Sequence, residues 1–306
     1  MAERGSVVIT GASRGLGLAS AADLYRRGCT VVSAVRSPEA GLERLRAATG
    51  ATAGDRRLVA VRLDLDDPGS IVAAARAIRE AVGAPDVLVH NAGVAAVGCV
   101  EEMPASVYAQ VFSTNFFGPV RLTQELLPTM RAAGRGRIVV VSSQGGVRGM
   151  PAISAYSAAK GALERWAEAL SHEVSPFGIG VTVLVAGTFK TDILELTQTY
   201  ADPDGPYAGL HAGLGRMERL VLRLARPPER FATVLARALD DSAPLARRSV
   251  GPDARLMALA NRLLPARLFQ RIVGSALGLP QPGTLRADPV RLTPVAARSE
   301  EREARG

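Results

Sequence analysis

Tyr156 and Lys160 stand four residues apart in Tyr156-Ser157-Ala158-Ala159-Lys160, with Ser143 thirteen residues upstream of the tyrosine. From Ala155 to Ser175, apolar residues recur at helical spacing (Ala158, Ala162, Leu163, Trp166, Ala169, Leu170), so tyrosine and lysine share one helical face. The chemistry this pairing permits is proton transfer. A phenol with an ordinary pKa near ~10 is a poor acid or base at neutral pH, but an ammonium beside it stabilises the phenolate.

A second signal lies at the amino terminus. The apolar run Val7-Val8-Ile9 enters Thr10-Gly11-Ala12-Ser13-Arg14-Gly15-Leu16-Gly17, and a helical pattern follows from Leu18 to Arg27. Strand, glycine turn and helix in this order suit a dinucleotide pyrophosphate. Gly11 permits the sharp turn, Gly15 lets phosphate approach the backbone, Gly17 allows close helix packing, and the helix start offers unpaired N–H groups.

The elements that must position these residues alternate along the chain. Strands are expected at Ser6 to Thr10, Thr30 to Val35, Leu58 to Asp64, Val87 to His90, Arg137 to Ser142 and Ile179 to Val185. Helices are expected near Leu16 to Arg27, Glu39 to Ala48, Pro68 to Val82, Ser106 to Ala133 and Ala155 to Ser175, with Pro128 predicting a kink or stop near the end of the long one. This alternation predicts an α/β fold, a doubly wound parallel sheet, with the site at the carboxyl ends of its strands.

From about Ser6 to Asp192 the chain resembles the short-chain dehydrogenase/reductase family. Thr10 to Gly17 is similar to the family's cofactor loop, Asp64-Leu65 to its adenine contact, and Asn91-Ala92-Gly93 to the motif ending its fourth strand. Asn115, Ser143, Tyr156 and Lys160 fall where the family keeps its catalytic tetrad, and Gly187, Phe189 and Thr191 lie in the segment that touches the nicotinamide carboxamide. Two departures stand out: Ala186 replaces a usual proline, and His90 a frequent asparagine. The resemblance implies a Rossmann fold and roles for the tetrad. Tyr156 exchanges a proton with a carbonyl or alcohol oxygen, Ser143 hydrogen-bonds that oxygen, Lys160 lowers the phenol pKa and binds the nicotinamide ribose, and Asn115 holds a water linking Lys160 to solvent. Homodimeric or homotetrameric assembly is also expected.

Cofactor choice follows from charge. An NAD enzyme of this fold carries an acidic residue at the end of strand two, whereas this chain reads Val35-Arg36-Ser37 there. Arg36, with Arg14 in the glycine loop, would meet a 2′-phosphate, so NADP(H) is the expected cofactor.

Composition bounds the rest. A chain of 306 residues, 47% hydrophobic, can bury a full α/β core. No apolar run approaches ~18 residues, and Met1 to Arg4 leads directly into the first strand, so neither a transmembrane helix nor a signal peptide is expected. Cys29 and Cys99, on separate elements, suit a reducing cytoplasmic compartment. The three histidines lack metal-ligand spacing, so no metal is expected, and His172 and His211 read as ordinary surface or pocket residues. Formal charge is +8, but with 4% aromatics and no basic stripe interleaved with them nucleic acid is excluded as a partner.

The expected organisation is a core over 1–194, a substrate lid over 195–228, a last helix and strand with a helical extension over 229–279, and an irregular or disordered tail over 280–306. Within the lid, Leu214, Met217, Leu220, Val221 and Leu224 form one helical face. This predicts a lipophilic carbonyl or alcohol substrate. The interspersed arginines also allow peripheral contact with an anionic membrane. A second apolar set runs through Leu256, Leu259, Leu263, Leu264, Leu268, Phe269, Ile272 and Val273, and residues 248 to 254 loosely resemble hydroxysteroid and retinol dehydrogenase-like members of the family. The expected activity is NADPH-dependent reduction of a ketone or aldehyde. The alternatives are a cofactor-binding sensor or scaffold without catalysis, and an epimerase or dehydratase on the same fold.

Overall fold

Valine and isoleucine alternate between two faces of each central strand, and both faces are covered by helices. The computed structural model describes residues 4–192, 197–276, 278, 279 and 283. In chain order these residues form β1 (Arg4–Thr10), α1 (Gly15–Arg26), β2 (Cys29–Val35), α2 (Pro38–Thr49), β3 (Leu58–Arg62), α3 (Pro68–Val82), β4 (Val87–His90) and a short β5 (Ala96–Gly98). Then come α4 (Ala105–Phe112), a π turn (Ser113–Phe117), α5 (Gly118–Ala133), β6 (Gly136–Ser143), a single-turn α6 (Gln144–Val147), α7 (Ser154–Val174) and β7 (Ile179–Ala186). The last third adds β8 (Gln198–Tyr200), α8 (Ala208–Leu224), α9 (Pro228–Ala238), β9 (Leu245–Val250), α10 (Pro252–Leu263) and α11 (Ala266–Ala276).

Seven strands form one parallel sheet in the order β3-β2-β1-β4-β6-β7-β9, and β5 pairs with β8 in a separate ribbon. Val7, Ile9, Val31, Val139 and Val141 face one side, where Leu24 of α1, Leu45 of α2 and Phe231 and Leu235 of α9 cover them. Val8, Val32 and Leu88 face the other side, beneath Ile71 and Ile78 of α3 and Leu122 and Leu126 of α5. Ile138, Val140, Val181 and Val183 lie on that same side under Leu163, Ala167 and Leu170 of α7. This two-sided burial is why the strands read as apolar runs.

The predicted long helix departs from expectation at a different place. It continues through Pro128 to Ala133, held by the fully buried Leu122, Leu126 and Met130, and its irregularity is the π turn around Asn115. β3 ends at Arg62, two residues short of the expected boundary. In the carboxyl-terminal third, Leu224 is 74% exposed, so it does not belong to an inward apolar face. The placement of the Leu220 and Val221 side chains, residues 193–196 and, apart from residue 283, the tail 280–306 lie outside the described residues. Leu256, Leu259, Leu263, Leu268 and Ile272 on α10 and α11 are exposed. Among the described residues, no helix is long and apolar enough to cross a membrane.

Candidate active site

The sheet order reverses between β1 and β4, and the cleft at their carboxyl ends is where a doubly wound fold leaves room for a ligand. Gly11 turns the chain there with φ +70°, and a Cβ on it would lie 3.0 Å from Ala92. A Cβ on Gly17 would come within 2.5 Å of Asn91 Nδ2, so α1 can pack this close only without a side chain. Thr10, which opens the expected cofactor loop, ties the two strand ends together: its Oγ1 accepts the N–H of Asn91 and of Ala92, each at 3.0 Å. Asn91 Nδ2 donates to the Thr10 carbonyl at 2.9 Å. The start of the loop is therefore tied to the end of β4 by the chain's own side chains. Its outer rim carries Ser13, Arg14, Gly15 and Leu16 into the start of α1. Thr191 closes over it, since a Cβ on Gly15 would lie 3.3 Å from the threonine methyl. This uncluttered cradle, with the first N–H groups of α1 at its end, fits the pyrophosphate of a nicotinamide dinucleotide.

Arg36 is exposed immediately after β2, and Arg14 is exposed in the loop. A Cβ on Gly41 would lie 3.6 Å from Ser13 Cβ, so α2 packs against the loop and brings both arginines to its border. Asp64 is partly buried, its carboxylate accepting the Asp66 N–H at 3.1 Å and its own N–H donating to Ser70 Oγ at 2.9 Å. Leu65 is buried against Gly118 at the start of α5.

The residues expected to carry proton transfer converge from β6, α7 and the π turn. Ser143 ends β6 and caps α6, its Oγ accepting the Gly145 N–H at 3.3 Å while its hydroxyl hydrogen bonds toward Tyr156. Burial pushes the Tyr156 phenol above its ordinary value, and the Ser143 bond opposes this in part. Lys160 is 3% exposed, with Nζ donating to the Val141 carbonyl at 2.8 Å and lying 5.8 Å from the Tyr156 ring centre. Burial brings its ammonium down to about 8, against the opposing pull of Glu164. The expected lowering of the phenol by Lys160 is not seen here: the ammonium is turned to a backbone carbonyl, and burial disfavours phenolate.

Asn115 is fully buried and clamps the chain after β4: its Oδ1 accepts the Val94 N–H and its Nδ2 donates to the Val94 carbonyl, both at 2.8 Å. The amide keeps one hydrogen and one lone pair for a water. A Cβ on Gly93 would lie 3.2 Å from Asn115 Oδ1 and 3.4 Å from Lys160 Nζ, so Gly93 leaves the space between them open. His90, also buried, sets its Nε2 2.8 Å from Thr123 Oγ1, and burial, with the Lys160 charge, brings its pKa down to about 3. It stays neutral at any working pH.

Beyond β7, Gly187 donates its N–H to Val250 at 2.9 Å, and Asp253 at the start of α10 accepts the Thr188 N–H at 2.6 Å. Phe189 turns its ring into the core, edge-on to Phe231 at 5.7 Å. Only its backbone remains to meet a cofactor. Glu164, one helical turn beyond Lys160, is buried and accepts from Ser142 Oγ and Arg247, each at 2.6 Å.

His211 lies in a pocket after β5. Its ring is 14% exposed, its Nε2 lies 2.6 Å from Glu102 Oε2, and the Cys99 thiol lies 3.9 Å from the same nitrogen. Asp253 has no signature in local spacing. For Glu164, its place eight residues after Tyr156 on the same helical face was the one available signal.

Comparison with known proteins agrees with this architecture. Residues 6–201 match the family model described as short chain dehydrogenase. The chain is 32% identical over 247 residues to "Oxidoreductase BOA17" of Botryotinia fuckeliana, covering 80% of this chain and 88% of that protein. It is 33% identical over 273 residues to "Uncharacterized oxidoreductase YbbO" of Escherichia coli, covering 88% and 93%. A solved short-chain dehydrogenase from Streptomyces avermitilis superposes with a TM-score of 0.76 at 34% identity, covering 90% of this chain and 98% of that one.

Proposed function

The chain belongs to the short-chain dehydrogenase/reductase family, an oxidoreductase on a fold that binds a nicotinamide cofactor, and from that premise we propose that it reduces a lipophilic ketone or aldehyde with NADPH. The observation that carries this reading is the convergence of Ser143, Tyr156 and Lys160 beside a glycine cradle whose border holds two arginines and, at the end of β2, no carboxylate.

The glycine loop, Asn91 to Gly93, Gly187 and Thr191 would hold the dinucleotide, with Asp64 and Leu65 at its adenine end and Arg14 and Arg36 at a 2′-phosphate. When bound, that cofactor supplies the hydride that carbonyl reduction needs. Everything else falls to side chains of this chain. A phenol is protonated at neutral pH and burial only raises it further, so Tyr156 holds a proton to donate to a carbonyl oxygen that is gaining charge. Ser143 shares that oxygen through its hydroxyl and orients it. Lys160, with an ammonium near 8, can replace a proton on Tyr156 by way of an intervening hydroxyl or water, and Asn115 fixes the backbone beside it. Leu214 and Met217, partly buried on α8, support a lid of apolar lining.

The test is a panel of small and bulky ketones and aldehydes offered with NADPH or NADH, followed by cofactor absorbance and product analysis. NADPH-dependent alcohol formation is expected, and Tyr156→Phe should lower turnover by ~100-fold or more. Turnover of no carbonyl with either cofactor would refute the reading, as would wild-type turnover in the Tyr156→Phe variant when chemistry limits the rate.

A further inference from the structure

The ribbon β5–β8 joins the segment after β7 to the core, and just beyond it three side chains from distant parts of the sequence meet. Cys99 follows β5, Glu102 lies three residues later, and His211 comes from the first turn of α8. One ligand atom from each residue lies within 4.8 Å of the other two. Cys99 is buried, and Glu102 and His211 are 12% and 14% exposed.

The arrangement is convergent. In a nucleophile relay the thiol and the carboxylate bond opposite nitrogens of the imidazole, so that a proton passes through the ring. Here both face the same nitrogen: Nε2 is 2.6 Å from Glu102 Oε2 and 3.9 Å from Cys99 Sγ. Three donor atoms around one point are what a cation requires. The carboxylate is also oriented from outside the cluster, its Oε1 accepting the Asp202 N–H at 3.1 Å, while its Oε2 accepts the Cys99 N–H at 3.1 Å. Such outer hydrogen bonds hold metal ligands in place.

We propose that Cys99, Glu102 and His211 form a zinc site that clamps the segment carrying α8 onto the loop after β5. Thiolate, imidazole and carboxylate are the three ligand types zinc takes, and three protein ligands leave a fourth position for water. A tetrahedral ion with bonds of about 2.3 Å to sulfur and about 2.0 to 2.1 Å to nitrogen and oxygen separates S from N by roughly 3.6 Å and N from O by roughly 3.3 Å. The sulfur–nitrogen spacing of 3.9 Å has to close by about 0.3 Å, and the nitrogen–oxygen spacing is reached by opening the Glu102–His211 hydrogen bond by about 0.7 Å, both within reach of side-chain rotation. As zinc enters, the Cys99 thiol gives its proton to solvent, and His211 coordinates through Nε2 with its remaining ring proton on Nδ1. No electron is transferred. The site stands apart from the oxidoreductase reading, since none of its ligands belongs to the proton-transfer group.

The full chain, stripped with a chelator and dialysed, is titrated with zinc alone, and bound metal is counted by mass spectrometry. About one zinc per chain is expected, with a rise in thermal midpoint. Cobalt in place of zinc should give a near-ultraviolet thiolate charge-transfer band in the wild-type protein. Cys99→Ser should abolish the band and Cys29→Ser should keep it, while His211→Ala should weaken zinc by roughly 100-fold or more, beyond the usual effect of an outer-shell partner. Failure of the wild-type chain to bind zinc stoichiometrically would overturn the proposal. So would a cobalt form without the thiolate band, a reading that needs no variant to fold, or binding that survives both Cys99→Ser and His211→Ala.

Discussion

Replacing Lys160 with methionine should make the cofactor-free protein more stable while destroying its activity. The ammonium is 3% exposed and burial brings it down to about 8 from its ordinary 10.5. That difference corresponds to roughly 3 kcal/mol by which the charged side chain favours the unfolded chain at neutral pH. Methionine fills a similar volume without charge. It forfeits the Nζ hydrogen bond to the Val141 carbonyl, worth about 1 kcal/mol, and leaves Glu164 paired with Ser142 and Arg247. The net expectation is a gain of about 2 kcal/mol at pH 7. The sign has a signature in pH. Between about 8 and 10.5 the unfolded wild-type chain holds a proton at Lys160 that the folded chain has lost, so wild-type stability rises with pH across that window. The advantage of Lys160→Met is therefore full below about 8 and shrinks toward 10.5, while groups common to both proteins cancel in the difference. Urea unfolding of both proteins at several pH values measures this directly. A difference that stays constant across the window would refute burial as the cause of the depressed ammonium, and a variant less stable at every pH would refute the energetic argument altogether.

Two further substitutions probe the cofactor and the lid. Arg36→Asp removes an exposed cation at the end of β2 and puts an anion there, and should shift kcat/KM toward NADH over NADPH by ~10-fold or more; equal use of both cofactors by the native enzyme would already contradict the assignment. Leu214→Ser with Met217→Ser strips apolar surface from the partly buried side of α8, and should raise KM for bulky apolar ketones by ~10-fold while barely changing it for small ones; equal effects on both sizes would remove the lid.

The parts of the fold that were legible in the sequence are those whose signal is local. Val7, Val8 and Ile9 announce a strand buried on both sides, and Tyr156 and Lys160 announce one helical face, because strand and helix periods act over a few residues. Pro128 misled for the same reason. Its local penalty is real, yet the burial of Leu122, Leu126 and Met130 on either side outweighs it and the helix runs on, while the π turn around Asn115, which secures Val94, is a separate irregularity that ends eleven residues upstream.

What local spacing misses is pairing between distant segments. Thr10 reads as an ordinary strand end until β4 lies beside it and the N–H groups of Asn91 and Ala92 find its hydroxyl. Arg247 is one of many arginines in the sequence, and only the pairing of β9 with β7 brings it against the buried Glu164 on α7. His211 is the extreme case, because its partners lie more than 100 residues upstream and no spacing rule relates them. Phe189 shows the converse: its position beside the nicotinamide segment suggested a ligand contact, whereas its ring is drawn into the core by Phe231 of α9. An apolar side chain goes where it loses the most water, about 25 cal/mol for each Å² covered, and a packed helix offers Phe189 more cover than an open cleft. The residues most exposed to this kind of misreading are therefore the apolar ones of the last third, where Leu224 faces solvent although periodicity placed it on an inward face.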